Sequence, residues 1–110
     1  MSILPTAPHA PNVSLSTKTL LVFSAPGVGK THFAATFPGV LFIPTEPGTE
    51  EMEVAATDEV TDWQSFCQYV DALATEDHPY ETVAVDTVGR LYSMCHDHVC
   101  ALNGWDDVDD

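Results

Sequence analysis

Positive charge is nearly absent from this chain: three basic residues, Lys18, Lys30 and Arg90, face 17 carboxylates, giving a net charge of −14. A surface this acidic repels nucleic-acid backbone and anionic membrane unless its cations are gathered together. Here they are scattered, so the residues present no nucleic-acid surface. The carboxylates fit a solubility role, or a high-salt cytosol in which they keep the protein hydrated. Also lacking is any run close to the ~18 apolar residues of a membrane span. The start, Met1-Ser-Ile-Leu-Pro5, has no basic segment leading into an apolar core, so no signal peptide is expected. Cys67, Cys95 and Cys100 are an odd number without disulfide-framework spacing, as free thiols in a reducing cytosol would be. A cytoplasmic protein without a membrane partner is expected.

What is present is an alternation of short apolar runs and helical patterns. Pro5, Pro8 and Pro11 make residues 1–17 an irregular arm. Thr19-Leu-Leu-Val-Phe23 is a continuous apolar run, the signature of a strand buried on both faces. Thr31 to Phe37 suits a short helix stopped by Pro38-Gly39, and Val40-Leu-Phe-Ile43 is a second buried strand ending at Pro44. The acidic stretch from Glu46 to Glu59 reads as loop with a helical turn around Met52–Ala56. Thr61-Asp-Trp-Gln64 has the form of a capping box, and Trp63, Phe66, Cys67, Val70, Leu73 and Ala74 follow at helical spacing. Thr82-Val-Ala-Val-Asp86 is a third strand. A helix with Leu91, Met94, Cys95, His98 and Leu102 on one face comes next, closed by Asn103-Gly104. This order, β-α-β-α-β-α, predicts an α/β fold with parallel strands and right-handed crossovers. The domain spans 18–104 and an acidic tail occupies 105–110. At 110 residues the chain is short for this class, which usually takes roughly 150–200 to cover both faces of a sheet.

Between the first apolar run and the first helix lies Ser24-Ala-Pro-Gly-Val-Gly-Lys-Thr31, which matches Gly-x-x-x-x-Gly-Lys-Ser/Thr except for Ser24 at the first position. Glycines let successive backbone N–H groups curl around phosphates at a helix start. The expected phosphate-binding residues are Ala25, Pro26, Gly27, Val28, Gly29, Lys30, Thr31 and His32, the last through its backbone. Lys30 reaches the β- and γ-phosphates, and the Thr31 hydroxyl ligates Mg²⁺. A glycine-rich turn without a ligand would not need to sit between a buried strand and a helix.

Such a loop needs a carboxylate at the end of a neighbouring strand to hold the metal. Asp86 closes Val83-Ala-Val-Asp86 and fits that role, with Thr87 beside it within reach of the γ-phosphate or attacking water. Hydrolysis also needs a group to orient the water. Glu46, just after the second strand, is the candidate, with Glu50, Glu51 and Glu53 as rivals. The absence of an Asn-Lys-x-Asp guanine signature leans towards ATP.

Ala25-Pro-Gly-Val-Gly-Lys-Thr31, Ile43-Pro-Thr-Glu-Pro-Gly48 and Tyr80-Glu-Thr-Val-Ala-Val-Asp-Thr87 together resemble the phage nucleotide-binding proteins of the RecA-like P-loop ATPases, among them the Sak-type single-strand annealing proteins. The resemblance covers roughly Thr19 to Gly104 and corresponds to the family's N-terminal part. It implies a RecA-like P-loop NTPase core binding MgATP, with Lys30 and Thr31 on phosphate and Mg²⁺, Asp86 on the metal and Glu46 on the water. It implies ATP hydrolysis by the complete protein, impaired in a part of it, in the service of phage DNA recombination or annealing, in the host cytoplasm. Ser24 for Gly and Pro44 at the strand end depart from the family pattern.

Members of that family run well beyond this length. The remainder carries a strand inserted between those of the P-loop and Asp86, a γ-phosphate sensor, most of the adenine pocket and the loops that would contact single-stranded DNA. The chain therefore reads as truncated, its sheet left with unpaired apolar edges and marginal stability. Assembly with copies of itself stays open. Two other functions remain in view: a nucleotide-dependent binding module without turnover, and a small P-loop phosphotransferase, the latter disfavoured by the lack of a lid or basic acceptor site.

Cys95-His-Asp-His-Val-Cys100 invites a zinc site, but on a helix Cys95 and Cys100 point about 140° apart. Buried Cys95 and His98 with outward His96 and Cys100 are expected instead. Arg90 reads as a solvent-facing helix residue, with an arginine finger on a neighbouring subunit as the sharper alternative.

Overall fold

Strand formation follows hydrogen-bond partners as much as apolar pattern, and the run Val40–Pro44 has partners on both sides. The computed structural model describes residues 3–11, 14, 18–25, 27–49 and 52–107. In it Val40–Pro44 is the central strand, β1. Ahead of it lies a short helix, α1, over Lys30–Ala35. After it come β2 (Ala55–Ala56), α2 (Trp63–Thr75), β3 (Thr82–Asp86) and α3 (Val88–Asn103).

The sheet has the order β2-β1-β3, and both pairings are parallel. β1 and β3 run in register from Val40 opposite Thr82 to Pro44 opposite Asp86. Their carboxyl ends therefore finish level, on one edge. Leu41, Phe42 and Ile43 on β1 are buried, joined by Val60, Leu91 and Cys100. A strand covered on both faces reads as a continuous apolar run, as this one does. The helices α2 and α3 pack against each other. Among the described residues no helix is long and apolar enough to cross a membrane.

Four expectations are corrected. Thr19–Phe23 is not a buried strand: Leu20, Leu21, Val22 and Phe23 are exposed, Phe23 to 85%. The sheet ends at β3 among the described residues, so this run has no ladder there to join. The helical turn around Met52–Ala56 is replaced by β2, where Ala55 and Ala56 pair with Leu41 and Phe42. The open edge of β1 overrides alanine's local preference for helix.

The capping box is shifted by one residue. Asp62, not Thr61, caps α2, its Oδ1 accepting from the Ser65 amide at 2.7 Å. That amide and the Ser65 side chain hold the Asp62 carboxyl below its ordinary value. Finally, on α3 it is Cys100 that is buried, whereas Leu102 is 72% exposed. Cys95 and His98 are half-buried.

Candidate functional site

Two glycines of the loop, Gly27 and Gly29, owe their identity to backbone conformation. Gly27 and Gly29 have φ of 82° and 101°, a region where side-chain-bearing residues are strained. A Cβ at either would meet nothing within 4 Å, so conformation and not crowding requires glycine here. Gly29 is the N-cap of α1. Lys30 turns back across the loop, its Nζ donating to the Ser24 carbonyl at 3.2 Å. Ser24 thus provides, through its backbone, the point at which the lysine is tethered. Ala25, Val28 and the His32 side chain are exposed; Pro26 lies outside the described residues.

Three of the residues singled out from sequence, Thr31, Asp86 and Glu46, stand near the sheet's carboxyl edge. Thr31 Oγ1 donates to Asp86 Oδ2 at 2.7 Å, joining positions 55 apart in the chain. Both are half-buried. A hydroxyl and a carboxylate are hard oxygen donors of the kind Mg²⁺ takes, so the pair fits the ion that the loop's chemistry asks for. Glu46 stands two residues beyond β1, half-buried, and its Oε2 accepts from Arg90 Nε at 2.9 Å. Arg90 sits in the first turn of α3. It is exposed, but it is not merely solvent-facing. Of the rivals to Glu46, Glu53 is exposed, while Glu50 and Glu51 lie outside the described residues.

Thr45 is a residue that sequence reasoning missed. It is 3% exposed and locks the ends of β1 and β3 together. Its amide donates to the Asp86 carbonyl at 2.8 Å. Its hydroxyl accepts from the Thr87 amide at 2.7 Å and donates to the Thr87 carbonyl at 3.0 Å. The Asp86–Thr87 peptide it embraces is cis. A buried hydroxyl using both its donor and its acceptor capacity fixes the backbone that carries Asp86 and starts α3. A threonine after a strand invites a search for such a partner, but nothing local points to one 42 residues away.

The run from Cys95 to Cys100 gathers differently from a zinc site. His96 contacts Asp97 at 3.3 Å and Asp107 at 3.4 Å, and its Nε2 lies 3.9 Å from Cys100 Sγ. Asp97 first, and then Asp107, raise the His96 pKa above its ordinary value.

The family model described as an AAA domain matches residues 16–109. No curated protein and no solved structure matches the chain.

Proposed function

This chain belongs to the AAA domain family, and we propose that it binds ATP with Mg²⁺ through residues 24–31 and hydrolyses it, as a RecA-like ATPase serving phage DNA recombination or single-strand annealing in the host cytoplasm. The family itself indicates a P-loop ATPase-type nucleotide-binding domain. The MgATP-binding part of this reading is supported by one observation, the 2.7 Å contact between Thr31 and Asp86 at the carboxyl edge of a parallel sheet. That edge is where ligands bind in open α/β sheets.

In this mechanism the loop amides and the Lys30 ammonium grip the phosphates, the lysine exchanging its Ser24 carbonyl partner for phosphate oxygens. The Thr31 hydroxyl and the Asp86 carboxylate would hold the metal. Bound Mg²⁺ would supply positive charge to offset the negative charge building up on the phosphate oxygens. Glu46 orients a water and accepts its proton as the water oxygen bonds to the γ-phosphorus. The bond to the bridging oxygen breaks, and ADP leaves with that electron pair.

Lys30→Ala should weaken MgATP binding by about tenfold or more, the scale of a lost charge-assisted bond. Unchanged affinity in a folded Lys30→Ala sample sinks the nucleotide reading. Glu46→Gln should bind MgATP as the parent does yet fail to turn it over. Stimulation of turnover by single-stranded DNA separates the recombination role from a plain phosphatase or phosphotransferase activity.

A further inference from the structure

We infer that Arg90 is the positioning residue for Glu46, holding one carboxylate oxygen so that the other faces the water. This rests on the hydrolytic reading of Glu46 given above. Arg90 Nε donates to Glu46 Oε2 at 2.9 Å, and among the described residues Oε1 takes no protein donor. Of the described carboxylates between positions 46 and 59, Glu46 is the one that Arg90 meets.

The backbone, rather than chance encounter in solvent, brings the pair together. Glu46 follows Thr45 directly, and Thr45 is bonded through its amide to Asp86 and through its hydroxyl to Thr87. Arg90 stands three residues beyond Thr87, in the first turn of α3. Both side chains therefore spring from one clamped strand-end junction, although 44 positions separate them in sequence. A guanidinium suits this role, because its planar fork fixes direction as well as charge and it does not deprotonate in the working range.

Stability alone does not account for the contact. The side chains are 63% and 38% exposed, and exposed pairs contribute little to folding. In a chain with three basic residues, one of which is the loop lysine, a second cation stands at the same edge beside the one carboxylate assigned to the water. Aim is what this contact can supply, since a reacting group must be held within a fraction of an ångström of its working position.

The test is ATP turnover by the full chain with Mg²⁺, compared among wild type, Arg90→Ala, Arg90→Lys, Glu46→Gln and the double variant. Arg90→Ala should lower kcat by about ten- to a hundredfold, the range for a misplaced reacting group, with KM and thermal midpoint unchanged. Arg90→Lys should recover part of the loss, because it keeps charge but not the fork. Adding Arg90→Ala to Glu46→Gln should cost nothing further, as expected when one residue acts through the other. If Glu46→Gln abolishes turnover while Arg90→Ala keeps the wild-type kcat, or loses only in KM, this assignment is wrong and the hydrolytic reading stands. If Glu46→Gln turns over at the wild-type rate, or wild type turns over nothing, both fall.

Discussion

Two apolar runs in this chain look alike in sequence and end in opposite environments. Leu41-Phe-Ile43 is buried, with Phe42 and Ile43 at 0% exposure; Leu20-Leu-Val-Phe23 is exposed, Leu21 at 70% and Phe23 at 85%. Each consists of β-formers, and each leads into a turn rich in proline and glycine. What separates them is pairing. The first run lies between β2 and β3, with every ladder position from Val40 to Pro44 matched on β3. The second has no ladder partner among the described residues, and the helix that follows it has no buried residue. Apolar pattern makes a segment eligible for a strand; a neighbouring edge makes it one.

Truncating one phenylalanine in each run should separate them most widely. Phe42→Ala should cost about 3–5 kcal/mol, the range for a large core side chain replaced by a small one. In so small a domain that is enough to abolish the cooperative transition. Phe23→Ala should change stability by no more than about 0.5 kcal/mol, as exposed substitutions do. Urea denaturation followed by tryptophan fluorescence measures both. Equal losses from the two variants would mean that Phe23 is packed in solution and that the contrast is false.

The same contrast explains which features could be read in advance. β1, β3, α2 and α3 were legible because each declares itself within a few residues: apolar runs for the strands, helical spacing from Trp63 to Ala74, and Gly104 closing α3. The parallel order of β1 and β3 was legible from their alternation with helices. Ala55 and Ala56 gave no signal, since two residues carry no period and only the open edge of β1 recruits them. The exposure of Leu20–Phe23 was not legible because it depends on which strand lies at the end of the sheet. In the site, the juxtaposition of Thr31 with Asp86 followed from motif and topology. Thr45 and the Arg90–Glu46 contact did not, because both depend on partners more than 40 positions away meeting where two strand ends come level.

Thr45 bears on the same contrast, since it holds β1 to β3 at the site itself. Thr45→Val keeps the shape but strips the hydroxyl from the Thr87 amide and carbonyl, leaving buried polar groups unmatched. A loss of about 1–3 kcal/mol is expected, smaller than for Phe42 and larger than for Phe23. Thr45→Ser should retain most of the stability, since it keeps the hydroxyl. The readout is again the urea midpoint, with ATP turnover as a second measure of disturbance at Asp86. If Thr45→Val proves neutral, the level strand ends are held by the β1–β3 ladder alone.

A segment beyond α3 gives the smallest and most selective test. Like residues 18–24, Trp105–Asp107 lies outside the sheet; the Trp105 amide donates to the Cys100 carbonyl at 2.9 Å, and Asp107 meets His96. Asp97 and Asp107 favour the protonated imidazole and raise its pKa above the ordinary 6.5. A raised pKa contributes stability that is fully present below 6.5 and is lost as pH rises through the folded value. The imidazole resonance of His96 should therefore titrate above 6.5, and the attachment of the tail should weaken as the pH passes that midpoint. Asp97→Asn should lower the midpoint most and Asp107→Asn less, in the order of their contributions. Trp105 fluorescence should follow the same titration, whereas Phe23→Ala should leave it unmoved. A His96 midpoint at or below 6.5 would mean that the two carboxylates do not hold the ring in solution. The tail would then be attached to α3 without help from His96, and the hydrogen bond from the Trp105 amide to Cys100 would matter more.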